Sequence, residues 1–109
     1  GKTVSKRTRR RYLALKVESE QPVNERNIMD AVWNAVLKLF GEYGASQANL
    51  SLIEYDPQRN FAIVHCSHTA LERVRASIVS ITEINGKPAV LHTTGVSGTL
   101  KSLRKKALK

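Results

Sequence analysis

The sequence predicts an α+β fold, in which an antiparallel sheet carries two helices on one of its faces. Several short segments alternate apolar and polar residues, which is typical of half-buried strands. Two longer segments repeat apolar residues every three or four positions, which is typical of amphipathic helices, and turn-forming residues separate the segments. With 109 residues, of which 41% are apolar, the chain is long enough for one domain with a single core.

The first half of the chain predicts one strand and one long helix. Apolar and polar residues alternate along residues 12–18, and a proline follows. Asn24 suits the N-cap of the helix, because its short polar side chain can accept hydrogen bonds from the first turn. Glycine readily takes the left-handed conformation that ends helices, so we expect the helix to end between Gly41 and Gly44. Its core face recurs at steps of three and four residues and comprises Ile28, Ala31, Val32, Ala35, Val36, Leu39 and Phe40.

The middle of the chain predicts a hairpin and a second helix. Residues 50–55 and 61–66 have the composition of strands, and residues 56–59 between them, Asp-Pro-Gln-Arg, suit a type I turn. Residues 69–72, Thr-Ala-Leu-Glu, match the capping box that opens a helix. The core face of that helix comprises Leu71, Val74, Ile78 and Ile81.

The last part of the chain predicts a strand and a basic helix. Residues 85–88, Asn-Gly-Lys-Pro, interrupt the pattern, and residues 89–96 form the strand. A helix then follows residues 97–99, Ser-Gly-Thr. Its apolar side is formed by Leu100, Leu103 and Ala107.

The order strand, helix, strand, strand, helix, strand is that of ferredoxin-like and RRM-like domains. We therefore expect a βαββαβ sandwich with a four-stranded antiparallel sheet and an added C-terminal helix. The corresponding boundaries are a basic N-terminal arm at 1–11, a ferredoxin-like domain at 12–98 and a basic C-terminal helix at 99–109. RNA-binding domains, ribosomal proteins and small phosphatases share this architecture, so the fold alone does not select a function.

The positive charge of the chain lies at its two ends. Residues 1–11 carry six basic side chains and residues 101–109 carry five, and neither segment has an acid, whereas residues 12–100 carry 7 basic and 9 acidic side chains. The net charge of +9 therefore belongs to the two ends. Clustered Lys and Arg gain affinity for RNA or DNA by releasing the counterions of the phosphates. We expect a nucleic-acid partner; a pair of solvated tails is the alternative.

The third strand matches an RNA-binding motif only in part. Residues 59–66 keep the leading basic residue, the first aromatic and the valine of the RNA-binding octamer, but they lack both later aromatic residues. Ile63 stands where the second base would stack, and an aliphatic side chain offers no flat π face. Tyr12 on the first strand could be the matching platform. We expect the C-terminal helix to cover Phe61 and Ile63, and the RNA surface to consist of arms and edges.

The first helix carries a second apolar row outside its core face. Met29, Trp33 and Leu37 lie four residues apart and share one side of the helix. A helix on one side of a small sheet needs only one apolar face, and Trp and Met are enriched at the centres of protein interfaces. The row therefore predicts a protein-partner interface; the alternative is that it packs under a loop or the other helix.

The sequence predicts no catalytic residue, no bound metal and no cofactor in the protein. His65, Cys66 and His68 are close in sequence, but neighbouring strand residues point to opposite faces and a structural zinc site needs four converging ligands. Cys66 lacks an orienting third group, so we expect a small buried hydrophobe rather than a nucleophile. His92 is expected to be structural. No apolar run approaches the ~20 residues of a membrane span, and the single cysteine favours an intracellular setting.

Four segments together carry a family resemblance. They are Arg10-Arg11-Tyr12, Val64-His65-Cys66, Val74-Arg75-Ala76 and Ser97-Gly98-Thr99-Leu100-Lys101. In these segments the chain resembles ribonuclease P protein component 2, a subunit family of the archaeal and eukaryotic tRNA-processing ribonucleoprotein that is shared in eukaryotes with RNase MRP. The resemblance covers about residues 7–106. A common form of the family has Arg at the position of His65.

The resemblance implies a non-catalytic role in ribonuclease P, in which the RNA subunit frees the mature 5′ end of tRNA from pre-tRNA and uses Mg²⁺ itself. The implied partners are the ribonuclease P RNA with pre-tRNA and a TIM-barrel-like protein, component 3. Self-association into a heterotetramer stays open. The resemblance also implies a cytoplasmic location, or a nucleolar one in a eukaryote, and no membrane partner.

Charge and resemblance together predict an RNA-binding surface. Its members are the basic side chains of the two ends, one aromatic and two hydroxyls: Arg7, Arg9, Arg10, Arg11, Tyr12, Ser97, Thr99, Lys101, Arg104, Lys105 and Lys106. The two hydroxyls precede a helix whose first amides can hold a phosphate, although the same motif is an ordinary N-cap. Two other functions stay open: another RNA-binding domain such as a ribosomal protein, and a small acylphosphatase-like enzyme. The enzyme needs a phosphate-cradling loop after the first strand, and residues 18–21, Glu-Ser-Glu-Gln, are acidic there.

Overall fold

The computed structural model describes residues 9–107, with side chains as far as residue 105. Along the chain its elements are β1 (Arg10–Ser19), α1 (Glu25–Ala48), β2 (Ser51–Asp56), β3 (Phe61–Ser67), α2 (Leu71–Ser80), β4 (Glu83–Ile84), β5 (Lys87–Ser97) and α3 (Leu100–Ala107). All strand pairs are antiparallel, and the order across the sheet is β2-β3-β1-β5-β4. The predicted α+β class with an antiparallel sheet is confirmed. Within the described range no helix is long and apolar enough to cross a membrane.

The sheet has five strands rather than the four predicted. The additional strand, β4, consists of Glu83 and Ile84, which pair with the first two residues of β5. Asn85 and Gly86 form the turn between them, with φ angles of 55° and 79°. Two positive φ angles in a two-residue loop are typical of the type I′ hairpin turn, for which Asn-Gly is a preferred sequence. A strand of two residues is too short to show alternation, so only its turn is visible in the sequence.

The main core lies between one face of the sheet and helices α1 and α2. β1 contributes Leu13, Leu15 and Val17, all at most 2% exposed. Alternate residues of a strand point to one face, and this triplet is the apolar face predicted for the first strand. The two helices contribute Ile28, Val32, Val36, Val74 and Ile78. Each such burial stabilises the fold by roughly 1.5–3 kcal/mol.

Helix α1 begins as predicted but ends later than predicted. Asn24 is its N-cap: the side chain accepts a hydrogen bond from the backbone N–H of Asn27 at 2.8 Å, and Asn27 accepts one in return at 3.1 Å. At Gly41 the backbone leaves helical geometry, with φ at 77° and ψ at 178°. Such a positive φ favours glycine. The helix then resumes and continues to Ala48, where Asn49 ends it in the left-handed conformation.

Two residues of the core face predicted for α1 lie at the surface. Leu39 and Phe40 are predicted for the core face, but they are 49% and 39% exposed. The prediction for these two residues was therefore wrong, because periodicity gives the side of a helix on which a residue lies but not whether another element covers that side.

Helix α2 begins without a side-chain cap. Its N-cap residue is Ala70, so the capping box predicted at residues 69–72 is wrong. Residues His68–Ala70 form a turn of 3₁₀ helix instead, so Thr69 lies inside that turn rather than at the N-cap position of α2.

Helix α3 covers part of the opposite face of the sheet. Leu103 is fully buried there together with Ala14 of β1 and Ile63 of β3. Leu100 and Phe61 are half-buried at the margin of this second core. The expectation that the C-terminal helix covers Ile63 is confirmed, whereas Phe61 is only half-buried. The middle of this sheet face is consequently closed to any ligand.

Candidate nucleic-acid interface

An open groove lies at the end of the sheet where β1 begins. Its volume is about 930 Å³, within the range of clefts that hold small ligands, roughly 300–1,000 Å³. Three arginines and no carboxylate line it, so the groove attracts anions. The lining residues are Arg9, Arg10, Arg11, Tyr12, Asn49, Leu50, His65 and Gly98.

The sheet holds the backbone of these arginines in place. The sequence assigns Arg10 and Arg11 to an arm, but both lie in β1, opposite the last two residues of β3. The carbonyl oxygen of Arg9 accepts a hydrogen bond from the backbone N–H of His68 at 2.8 Å. Only the side chains therefore have to order when an anion binds, which lowers the entropic cost of binding.

Tyr12 and His65 form an aromatic pair in the groove. They are direct partners across β1 and β3, and their rings meet edge to face, with centroids 5.7 Å apart and an interplanar angle of 83°. Partial burial lowers the pKa of His65 below the usual 6.5, the charge of Arg10 lowers it further, and the nearby backbone of His65 and Asn49 partly offsets both effects. His65 is therefore mainly neutral at physiological pH.

The two predicted hydroxyls act as local caps. The hydroxyl of Thr99 accepts a hydrogen bond from the backbone N–H of Ser102 at 3.2 Å, in the N-cap position of α3. The hydroxyl of Ser97 accepts one from the backbone N–H of Thr99 at 3.3 Å. In this segment only Gly98 lines the groove.

The basic residues of α3 differ in whether their side chains are exposed or already paired with an acid. Lys101 and Lys105 are exposed. Arg104 forms an ion pair with Glu54 of β2, with Nη2 and Oε1 separated by 2.5 Å. The side chain of Lys106 and the whole of Arg7 lie outside the described residues.

The apolar row of α1 is divided between core and surface. Leu37 packs against the main core, Met29 is half-buried, and Trp33 is 38% exposed. Phe40 continues the row at seven residues from Trp33, on the same side of the helix. The exposed part of the row therefore consists of Trp33 and Phe40, and the sequence pattern missed Phe40 because it assigned that residue to the core.

Comparison with known proteins gives the family. Residues 11–108 match the family model described as Rpp14/Pop5 family. The chain belongs to the Rpp14/Pop5 family. The resemblance to ribonuclease P protein component 2 seen in the sequence is thereby confirmed.

Two relatives and one solved structure show how far the likeness extends. The chain is 38% identical to ribonuclease P protein component 2 of Pyrococcus furiosus, over 94% of this chain and 85% of the relative. It is 36% identical to ribonuclease P protein component 2 of Methanosarcina mazei, over 95% of this chain and 88% of the relative. A chain in the cryo-EM structure of yeast ribonuclease MRP has a TM-score of 0.71 at 15% identity, over 89% of this chain and 79% of that chain, which shows a shared fold.

The one cysteine of this Rpp14/Pop5 member is unsuited to nucleophilic attack. Cys66 is fully buried on the core face of β3. Burial raises the pKa of its thiol to about 11, although the charges of Arg11 and Arg73 act in the opposite direction. A nucleophilic cysteine needs a lowered pKa and access to substrate, and Cys66 has neither. Among the described residues, no group of three or more His, Cys, Asp or Glu side chains could hold a metal ion.

The predicted RNA-binding surface lacks four members of the groove: Asn49, Leu50, His65 and Gly98. Asn49, Leu50 and His65 line the groove beside the predicted Tyr12, but the sequence linked His65 to a possible metal site and to the family resemblance, not to the RNA-binding surface. The missing information is the register of β1 against β3, which places Tyr12 opposite His65. A residue pairing of this kind depends on tertiary structure and leaves no local pattern.

Proposed function

We propose that this chain is the RNA-binding, non-catalytic protein subunit of ribonuclease P that supports the catalytic RNA in removing 5′ leaders from pre-tRNA. One observation carries the proposal: the groove of a Rpp14/Pop5 member holds three arginines, fixed by the sheet and free of any lining carboxylate. A cluster of this kind neutralises closely spaced phosphates, and crowded RNA strands need that neutralisation to fold together.

The chemistry of cleavage belongs to the RNA in this proposal. The protein's only cysteine is buried and keeps its proton, and the hydroxyls of Ser97 and Thr99 both accept hydrogen bonds from the local backbone. Mg²⁺ would be held by the RNA subunit, and the protein would contribute positive charge around it. This role is electrostatic and positional, so it requires no general base in the protein.

The second part of the proposal is a protein partner on α1. Trp33 and Phe40 form an exposed apolar strip next to half-buried Met29. Aromatic residues in such positions are enriched at the centres of interfaces. We assign this strip to component 3, the TIM-barrel-like protein implied by the family resemblance, with a heterotetramer as the expected assembly.

The RNA-binding part is tested by the salt dependence of binding. The triple variant Arg9→Gln, Arg10→Gln, Arg11→Gln is compared with the wild-type chain on the ribonuclease P RNA of the same organism. Each lost phosphate contact reduces the slope of log affinity against log salt by roughly 0.7–0.9, so the triple variant should lose about 2 to 3 units of slope.

A matched triple variant controls for net charge. Lys16, Arg59 and Lys87 are exposed and lie toward the opposite end of the sheet, and their change to Gln removes the same charge. This control should keep most of the slope. Equal losses in the two triple variants would refute a localised RNA surface.

A further inference from the structure

The face of the sheet that carries α3 is closed in the middle and open at one end. Ala14 and Ile63 lie under Leu103 and are fully buried. Tyr12 lies two residues before Ala14 on the same strand, and His65 lies two residues after Ile63, so both point to this same face. The open end therefore offers two ring surfaces to a ligand in the groove.

Aromatic rings and positive charge coincide at this open end. Arg10 lies two residues before Tyr12 and shares its face, and Arg9 and Arg11 line the groove from the neighbouring positions. A nucleotide combines the two matching chemistries, because its phosphate is anionic and its base is a flat π system. The groove has the volume to hold a group of that size.

The ring pair has the properties of a stacking platform. Its edge-to-face geometry means that one ring directs its edge at the other, which leaves ring face uncovered by the pair. Tyr12 is anchored, because it packs against the second core. His65 contributes the second flat ring, and it is half-buried in the groove.

We propose that this groove binds one unpaired nucleotide of a single-stranded RNA segment, with the base against Tyr12 and His65 and the adjoining phosphate against Arg10. A base within a duplex is stacked between its neighbours and cannot reach the rings, so the ligand is a loop, bulge or end. The inference rests on the proposed function and specifies which part of an RNA the chain holds.

The test measures the binding of a short fluorescent oligouridylate and of an RNA duplex of equal length. Loss of a stacking residue typically weakens binding roughly five- to a hundredfold per base. His65→Ala and Tyr12→Leu should therefore each weaken binding of the single strand at least about fivefold, with little effect on the duplex. Arg10→Gln should weaken binding of the single strand and of the duplex. On the single strand it should also reduce the slope of log affinity against log salt by roughly 0.7.

Two further variants separate stacking from folding. His65→Phe keeps a flat ring and should retain binding of the single strand, whereas His65→Ala should not. His92→Ala removes an exposed histidine outside the groove and should bind like the wild type. Thermal melts of each variant verify the fold, and Tyr12→Leu keeps the apolar contact with the second core.

The outcomes distinguish this inference from the function on which it rests. In one outcome, His65→Ala and Tyr12→Leu bind the single strand as tightly as the wild type, and only Arg10→Gln binds it more weakly. The groove would then be a site for phosphates alone, which would overturn the inference but leave the proposed function standing. Equal losses on single strand and duplex would also overturn it. A wild-type chain without affinity for the ribonuclease P RNA would refute the proposed function itself.

Discussion

Leu103 of α3 lies so close over Gly95 of β5 that a β-carbon at position 95 would stand 3.4 Å from Leu103 Cδ1. Leu103 is also fully buried against Ala14 and Ile63. The side chain of Leu103 therefore lies close over the backbone of β5. This contact closes the middle of the face and leaves Tyr12 and His65 as its accessible aromatic end.

Leu103→Ala should loosen α3 from the sheet. Large-to-small changes at fully buried leucines cost about 2–5 kcal/mol, and a single short helix depends strongly on this side chain. Urea unfolding followed by circular dichroism measures the loss of unfolding free energy. Lys105→Ala, on the exposed side of the same helix, should change it by less than about 0.5 kcal/mol. Similar values for the two variants would mean that Leu103 does not anchor the helix.

Trp33→Ala should weaken the complex with component 3 more than it weakens the fold. Trp33 is 38% exposed, so its loss should cost about 1–2 kcal/mol of unfolding free energy, below the roughly 3–5 kcal/mol of a buried tryptophan. Calorimetric titration with component 3 measures the affinity, and urea unfolding measures the free energy of unfolding. Tyr43→Ala, at a residue 79% exposed beyond the helix break, is the control and should keep its affinity. A large stability loss with unchanged affinity would assign Trp33 to the core.

Glu54→Gln should strengthen RNA binding. The carboxylate of Glu54 holds the guanidinium of Arg104, and its neutralisation makes that cation available to phosphates. We expect the slope of log affinity against log salt to grow by up to about one unit. The stability should change by no more than about 1 kcal/mol, because the ion pair is partly exposed. An unchanged salt slope would show that Arg104 does not face the RNA.

Cys66 should make the fold less stable at alkaline pH. The thiol has a usual pKa of 9.0 when unfolded and about 11 when folded. Between these values the unfolded chain binds fewer protons, so rising pH favours unfolding and removes up to about 2–3 kcal/mol. The measurement is unfolding free energy from pH 8 to 11 for the wild type and Cys66→Ala, whose difference cancels the other titrating groups. If the unfolding free energies of the two proteins fell in parallel with pH, the raised pKa of the Cys66 thiol would be contradicted.

Periodicity was sufficient to predict the main elements, since burial on one face repeats every two residues in a strand and about every 3.6 in a helix. Leu13, Leu15 and Val17 follow that rule, as does Ile28 with Val32. The turn of 3₁₀ helix before α2 and the resumed helix after Gly41 depend on longer-range packing, so local patterns did not show them.

Part of the candidate site was likewise predictable from the sequence, and part depends on the tertiary structure. Charge at the chain ends identified the arginines of the groove, because clustering is a property of sequence. The partnership of Tyr12 with His65 and the ion pair of Arg104 with Glu54 join residues far apart in the chain, and strand register or tertiary packing creates them. The sequence therefore located the basic surface, and the structure showed which of its cations are already engaged.

The proposed function is tested most directly by the rate of pre-tRNA cleavage by a particle reconstituted from the ribonuclease P RNA and component 3, with and without this chain, at limiting Mg²⁺. We expect the chain to raise the rate, the Arg9, Arg10, Arg11 to Gln variant to raise it less, and the protein without RNA to leave pre-tRNA intact. An equal rate without the chain, or cleavage by the protein alone, would refute the proposed function.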